Sequence, residues 1–330
     1  MRLGQTTTSS EGEDVMRISL MVEGQNGLTW ERWSHILALA ERLGMSGVYR
    51  SDHYFIGQQQ DSLEAYLSFV MAASETSTIR FGALVSPVTF RRPVDVGRMV
   101  AQLDALSDGR FICGFGAGWN EPEHVAYGID FPSTKERFDR MDDAIRLMKA
   151  LWSGGPVSYD GEFYSLKDAD CLPRPPSGRP YFLIGGSGEK RTLRSVAEFA
   201  DEWNFTPLPF DEIPHKIDVL AKHCETFDRD PASIRRSQMT FGLIGPDDLL
   251  QPTVRALKAA RGAAEMSDAD FLQASRDRGS IVGGTDEVVD QIGRLAELGV
   301  EEMMFQHFLF DDDSVPEYLA TEIAPQVADL

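Results

Sequence analysis

Short apolar, β-branched runs alternate with amphipathic stretches along nearly the whole chain. The runs read as strands at Met16–Val22, Gly47–Arg50, Ile79–Val85, Phe111–Phe115, Tyr181–Ile184, Glu202–Phe205, Thr240–Ile244 and Glu302–Gln306. Between them the apolar spacing becomes helical, over Trp30–Leu43, Ser62–Glu75, Pro93–Leu106, Ser133–Trp152, Lys190–Phe199, Glu212–Phe227 and Thr285–Leu298. In the last of these, Val288, Val289, Ile292, Leu295 and Leu298 recur at three- and four-residue steps and predict one buried stripe. Thr285 is placed as its N-cap, with Asp286 and Glu287 favourable at the positive end of the helix dipole.

About eight strand-then-helix units in 330 residues predict an α/β fold, a single (β/α)8 barrel. An open nucleotide-binding sheet would put a GxGxxG turn after its first strand, and here that turn reads Glu23-Gly24-Gln25-Asn26-Gly27. The barrel domain is expected over 16–330, after a polar tail at 1–15 with no hydrophobic signal core. Two stretches interrupt the alternation. Gly154–Arg179 carries a hairpin pattern turning at Asp160-Gly161, and Gly245–Gly284 is a polar and helical insertion. Both are expected to shape the mouth of the barrel.

Charge narrows the partners. There are 52 acidic and 32 basic residues, a net charge of −20, which disfavours nucleic acid and anionic membranes. No apolar run approaches the roughly 20 residues that span a bilayer. Cys113, Cys171 and Cys224 form no CxxC or CxxH pattern, so a reducing, cytoplasmic setting fits better than a disulfide scaffold or zinc site. The six histidines make no HxH, HxxxH or HExxH pair, and no GxSxG elbow is present.

In a parallel barrel the working groups sit at the C-terminal strand ends. After the second strand come Ser51-Asp52-His53, a carboxylate and an imidazole facing the mouth; the competing account makes Asp52 a turn cap and His53 a packed polar residue. After the third, Leu84-Val85-Ser86-Pro87 offers a small apolar exit where a planar ligand can approach. The glycine run Gly114–Gly118 follows the fourth strand, and plain turns use such glycines too. After the fifth, Gly185-Gly186-Ser187-Gly188 leads into a helix, and free backbone N–H groups, a hydroxyl and the helix dipole there suit a phosphate or carboxylate, with Lys190 and Arg191 adding positive charge.

These segments in this order, with Ala200-Asp201-Glu202-Trp203-Asn204 and Ile281-Val282-Gly283-Gly284-Thr285 behind them, resemble the luciferase-like flavin- or F420-dependent oxidoreductases, over about Met16 to Phe308. The resemblance implies an F420 deazaflavin, with FMN as the alternative, across the barrel mouth. Its phosphate would lie on Gly185, Gly186, Ser187 and Gly188, and its ring against a bulge at Leu84-Val85, which in the family is often a cis peptide. Gly116, Ala117 and Gly118 would flank the chain between them, with Asp52 beside the cofactor and His53 near the reacting edge. Sugar-phosphate dehydrogenases of the family carry an acid directly after the glycine run. Trp119 stands there in this chain and the nearest carboxylate is Glu121, which joins His53 as a catalytic candidate and leaves the general acid open. The implied reaction is hydride transfer to or from a small organic substrate. Alternatives are an FMN monooxygenase that uses oxygen and is fed reduced flavin by a partner reductase, and a flavin-binding protein without turnover; a flavin or F420 reductase is the protein partner implied. A homodimer is implied by the same resemblance.

Overall fold

The computed structural model describes residues 16–57 and 62–330; the 1–15 tail lies outside them. Eight parallel strands close into a barrel: β1 (Arg17–Val22), β2 (Gly47–Arg50), β3 (Arg80–Ala83), β4 (Phe111–Gly116), β5 (Tyr181–Gly185), β6 (Glu202–Phe205), β7 (Arg235–Phe241) and β8 (Glu302–His307). Each pairs with the next in sequence, and β8 pairs back to β1 through Arg17↔Glu302 to Val22↔His307. The helices α1 (Trp30–Leu43), α2 (Ala65–Glu75), α3 (Pro93–Ser107), α4 (Glu121–Tyr127), α5 (Thr134–Trp152), α6 (Thr192–Phe199), α7 (Ile213–Thr226), α8 (Asp247–Ala260), α9 (Asp268–Asp277) and α10 (Thr285–Glu297) lie between the strands. None among the described residues is long and apolar enough to cross a membrane.

The main core lies between the strands' outward faces and the helices, where Trp33, Phe69, Phe81, Phe111, Phe182 and Phe305 are fully buried. Alternation along each strand sends the other residues inward. At the N-terminal end of the barrel these form an ionic plug. Glu202 accepts from Ser237 Oγ (2.6 Å) and Tyr181 Oη (3.0 Å), Glu302 accepts from Ser19 Oγ (2.7 Å), and Arg80 lies 3.7 Å from Glu302 and 4.0 Å from Glu202. Burial, then the charge of Glu302, pushes the Glu202 carboxyl above its usual range. Above the plug Met21, Tyr49, Ile112, Leu183 and Met304 pack as an apolar layer, and the mouth opens over it.

Three details differ from the sequence pattern. The seventh strand starts at Arg235 rather than Thr240, because its first turn inward, Ser237, is polar and serves Glu202 and Asn204. Gly284, not Thr285, caps α10: Glu287 accepts from its N–H (3.1 Å), which leaves the Thr285 hydroxyl to bond Tyr318. The Gly154–Arg179 insertion is a hairpin, Val157–Asp160 with Ser165–Ala169, clamped on the outside of α5 by Asp143, which accepts from the N–H groups of Phe163 and Tyr164. It precedes β5 rather than following a strand, so it lies away from the mouth. The Gly245–Gly284 insertion, built from α8 and α9 around Phe241, Leu250, Val254 and Phe271, does reach the mouth.

Candidate active site

A cavity of about 450 Å³ opens at the C-terminal strand ends, within the roughly 300–1,000 Å³ common for small-molecule sites. Its wall takes residues from after nearly every strand. Glu23 follows β1, Ser51 and His53 follow β2, Leu84 and Val85 follow β3, and Gly116 ends β4 with Ala117, Gly118 and Trp119 directly after it. Gly185 ends β5 with Gly186 directly after it, and Thr206 follows β6.

One side is organised by α4. This short helix turns Asn120, Glu123 and His124 inward on a shared face at three- and four-residue spacing. The buried Glu123 accepts from His53 Nδ1 (2.8 Å) and Asn120 Nδ2 (2.7 Å) on one oxygen, and from the N–H groups of Tyr54 (2.5 Å) and Phe55 (3.3 Å) on the other. Burial works against the His53 imidazolium, yet the hydrogen bond and the charge of Glu123 prevail and hold its pKa above the ordinary histidine value. Burial works against the Glu123 carboxylate too, and its donors hold it below the usual range. With Nδ1 committed, His53 Nε2 has no protein partner among the described residues and belongs to the cavity. Trp119 meets the His53 ring edge-on at 5.4 Å between centroids. His124, in contrast, is spent on both nitrogens, against Asn120 O (2.8 Å) and Thr89 Oγ1 (2.6 Å).

The opposite side is a glycine cradle around Val85. The Leu84-Val85 peptide is cis. A Cβ on Gly116 would stand 2.8 Å from Val85 Cγ2, and one on Gly185 3.1 Å from Val85 Cγ1, so side chains at those positions would collide with the bulge. Asp52 braces this loop from behind: it accepts from Ser86 Oγ (2.7 Å) and from both ends of the Arg91 guanidinium (2.5 and 3.1 Å). Beyond Gly186, whose φ of +117° suits only glycine, the N–H groups of Ser187, Gly188, Glu189 and Lys190 donate to no acceptor among the described residues. Ser187 Oγ is buried and likewise has no partner. Idle donors with an orphaned hydroxyl make a bend whose chemistry suits an anion.

Residues 14–302 match the luciferase-like monooxygenase family. The chain belongs to that family. Over 292 residues it is 35% identical to an F420-dependent glucose-6-phosphate dehydrogenase of Intrasporangium calvum, which covers 80% of this chain and 85% of that enzyme. Over 153 residues it is 37% identical to the enzyme of the same name from Kineococcus radiotolerans, a stretch that is 45% of each chain. The barrel is also similar to the monooxygenase RslO1 of Streptomyces bottropensis, with a TM-score of 0.79 at 21% identity over 95% of this chain and 100% of that one.

Of the luciferase-like residues singled out from the sequence, His53, Leu84, Val85, Gly116, Ala117, Gly118, Gly185 and Gly186 line this one cavity. Ser187 and Gly188 form the bend at its edge. Two do not join the wall. Asp52 is consumed by Arg91 and Ser86 behind the loop. Glu121 occupies the exposed first turn of α4, where it favours the helix dipole, and the carboxylate that meets His53 is Glu123, one side of the helix round. Arg191 is drawn away from the bend by Asp139 (2.8 Å) and Asp142 (3.3 Å). Glu23 went unnoticed although it sits directly after β1, where the strand-end rule applies; its oxygens accept from Gln306 Nε2 (2.5 Å) and Gln25 Nε2 (2.9 Å).

Proposed function

We propose that the chain is an oxidoreductase that moves a hydride between F420 and a small organic substrate, with His53 handling the substrate's proton. The observation that carries this is an imidazole with a free Nε2 in a cavity that has, at its edge beyond Gly186, a bend of idle donors around the orphaned Ser187 hydroxyl. The residues fit a planar, anion-tailed cofactor. The Val85 bulge and the glycines around it would take the ring, Gly116–Gly118 the connecting chain, and Gly185–Gly188 the phosphate. When bound, F420 supplies the hydride donor or acceptor.

The chain's own part is orientation and proton handling. Glu123 fixes the His53 ring through Nδ1 and favours its charged form, so Nε2 takes the proton of a substrate hydroxyl as the alcohol is oxidised, and returns it in the reverse direction. Val85, Leu84, Met21 and Met239 exclude water from the reacting region. The names of the relatives favour F420; the matching family's own name keeps an FMN monooxygenase as the second reading, which would require a separate flavin reductase. The fuller reading includes a homodimer covering the exposed Leu67, Val70 and Leu106 of α2 and α3, and a cytoplasmic location in keeping with three unpaired cysteines.

Absorbance and fluorescence titration with F420 and with FMN, followed by turnover assays with and without oxygen, tests the choice. His53→Ala is expected to bind F420 as the wild type does and to lose turnover. Turnover that survives the substitution removes His53 from the chemistry, and absence of binding to either cofactor defeats the proposal.

A further inference from the structure

His53 and Val85 face one cavity from neighbouring loops, residues 51–53 after β2 and residues 84–87 after β3. The last backbone hydrogen bond between these segments runs from Leu84 N–H to Arg50 O (2.8 Å), and beyond it none joins them among the described residues. Side chains take over. The buried Asp52 accepts from Ser86 Oγ (2.7 Å), which ties the residue before His53 to the residue after Val85. Arg91 closes the tie from outside. Its guanidinium donates to both Asp52 oxygens (2.5 and 3.1 Å) and to Glu64, the N-cap of α2, and it lies 4.8 Å from the centroid of the buried Tyr66 ring. One planar fork therefore holds the β2 loop, the β3 loop and the start of α2 together, although neither Arg91 nor Asp52 lines the cavity.

A buried ion pair often adds no more stability than an apolar replacement of similar volume, so stability alone does not account for this one. A bidentate arginine fixes direction as well as distance. Glu123 holds the His53 ring at Nδ1, but it comes from α4 and leaves the approach of His53 to Val85 unset. We propose that Arg91 is a positioning residue for the hydride and proton transfer: by clamping Asp52 against Ser86 it sets where His53 Nε2 stands relative to Val85, without touching substrate or cofactor. This rests on the cavity being the place of hydride transfer. A displacement of about 1 Å at a reacting centre can cost on the order of 100-fold in rate, which is the scale on which such a clamp acts.

Ring-proton NMR of His53 against pH, and fluorescence titration with F420, test this on the full chain in Arg91→Met and Arg91→Lys. Two effects oppose one another in Arg91→Met. If charge alone mattered, the unpaired Asp52 carboxylate would act more strongly on His53 and raise its midpoint. Loss of the clamp instead lets the loop relax and draws His53 from Glu123. The midpoint is therefore expected to fall by about half a pH unit or more, and F420 binding to weaken by about tenfold as the Val85 loop loses its fixed position. Arg91→Lys keeps the charge and loses the fork, so it is expected to show most of both effects, and it carries the test should Arg91→Met fail to fold. Arg92→Met, at an exposed neighbour paired with Asp95, is expected to change neither. A His53 midpoint that rises or holds in both Arg91 variants, or F420 affinity equal to that of the wild type in both, overturns the inference. A fallen midpoint in a protein whose wild type binds neither F420 nor FMN would uphold the clamp and sink the cofactor reading alone.

Discussion

Replacing Glu123 with Gln separates charge from shape at the histidine. The carboxylate collects four donors on two oxygens: His53 Nδ1 and Asn120 Nδ2 on one, the Tyr54 and Phe55 N–H groups on the other. An amide has one accepting oxygen. Turned one way, its NH2 faces the Tyr54 and Phe55 N–H groups; turned the other, it faces the Asn120 amide and bonds only a His53 tautomer with Nδ1 unprotonated, so one to two charge-assisted bonds are lost, each worth about 1.5–3 kcal/mol. Relief of the buried charge offsets part of this, leaving a net destabilisation of about 2–4 kcal/mol. For a chain of this length that corresponds to roughly 3–6 °C in melting temperature. The titration moves as well. Burial already opposes the His53 imidazolium, and with Glu123 neutral only the weaker fields of Glu23 and Asp52 answer it, so the midpoint falls below the ordinary histidine value. In the wild type the pair stabilises most between the usual carboxylate and imidazole ranges. That contribution fades toward acid as Glu123 protonates, and toward alkali as His53 gives up its proton. Ring-proton NMR of His53 against pH, beside thermal melts, reads both effects. A wild-type midpoint in Glu123→Gln would refute the reasoning.

Other perturbations have equally definite outcomes. His307 is buried with Nε2 unpartnered, and burial lowers its pKa to about 4; the unfolded chain therefore takes up the extra proton as pH falls, and the wild type loses about 3 kcal/mol between pH 7 and 4 that His307→Leu does not, as urea titrations at both pH values will report. Gly116→Ala pushes a Cβ to within 2.8 Å of Val85 and is expected to cost about 1–3 kcal/mol and to weaken F420 binding; a variant with unchanged melting and affinity would mean that the cradle is slack. Arg80→Met leaves Glu202 and Glu302 without their cation and is expected to destabilise by about 3–5 kcal/mol at pH 7, with partial recovery at lower pH as Glu202 protonates; equilibrium unfolding at two pH values decides.

The barrel was legible because parallel strands buried on both faces read as apolar runs, and helical spacing separates them cleanly. The reading failed where the barrel interior is polar. Arg235, Arg236, Ser237 and Gln238 in β7 show no apolar run, although Ser237 is fully buried between Glu202 and Asn204. Strand ends pointed to His53, Val85 and the two glycine segments without any coordinates. They did not separate Glu121 from Glu123. That distinction depends on the phase of a seven-residue helix, in which Asn120, Glu123 and His124 share a face while Glu121 points to solvent. Nor could spacing show that Asp52 faces Arg91, a pairing made across 39 residues of sequence.

The ionic plug of Arg80, Glu202 and Glu302, with the methionine and tyrosine layer above it, fills the N-terminal end of the barrel, so that among the described residues the cavity opens at the C-terminal strand ends. Traffic through a shared opening has a sequence. A ligand resting deepest, against Val85, would enter first and depart last, and a second reactant would join after it. Steady-state kinetics should therefore follow a compulsory order with the coenzyme leading, so that a dead-end mimic of the second reactant traps the first inside.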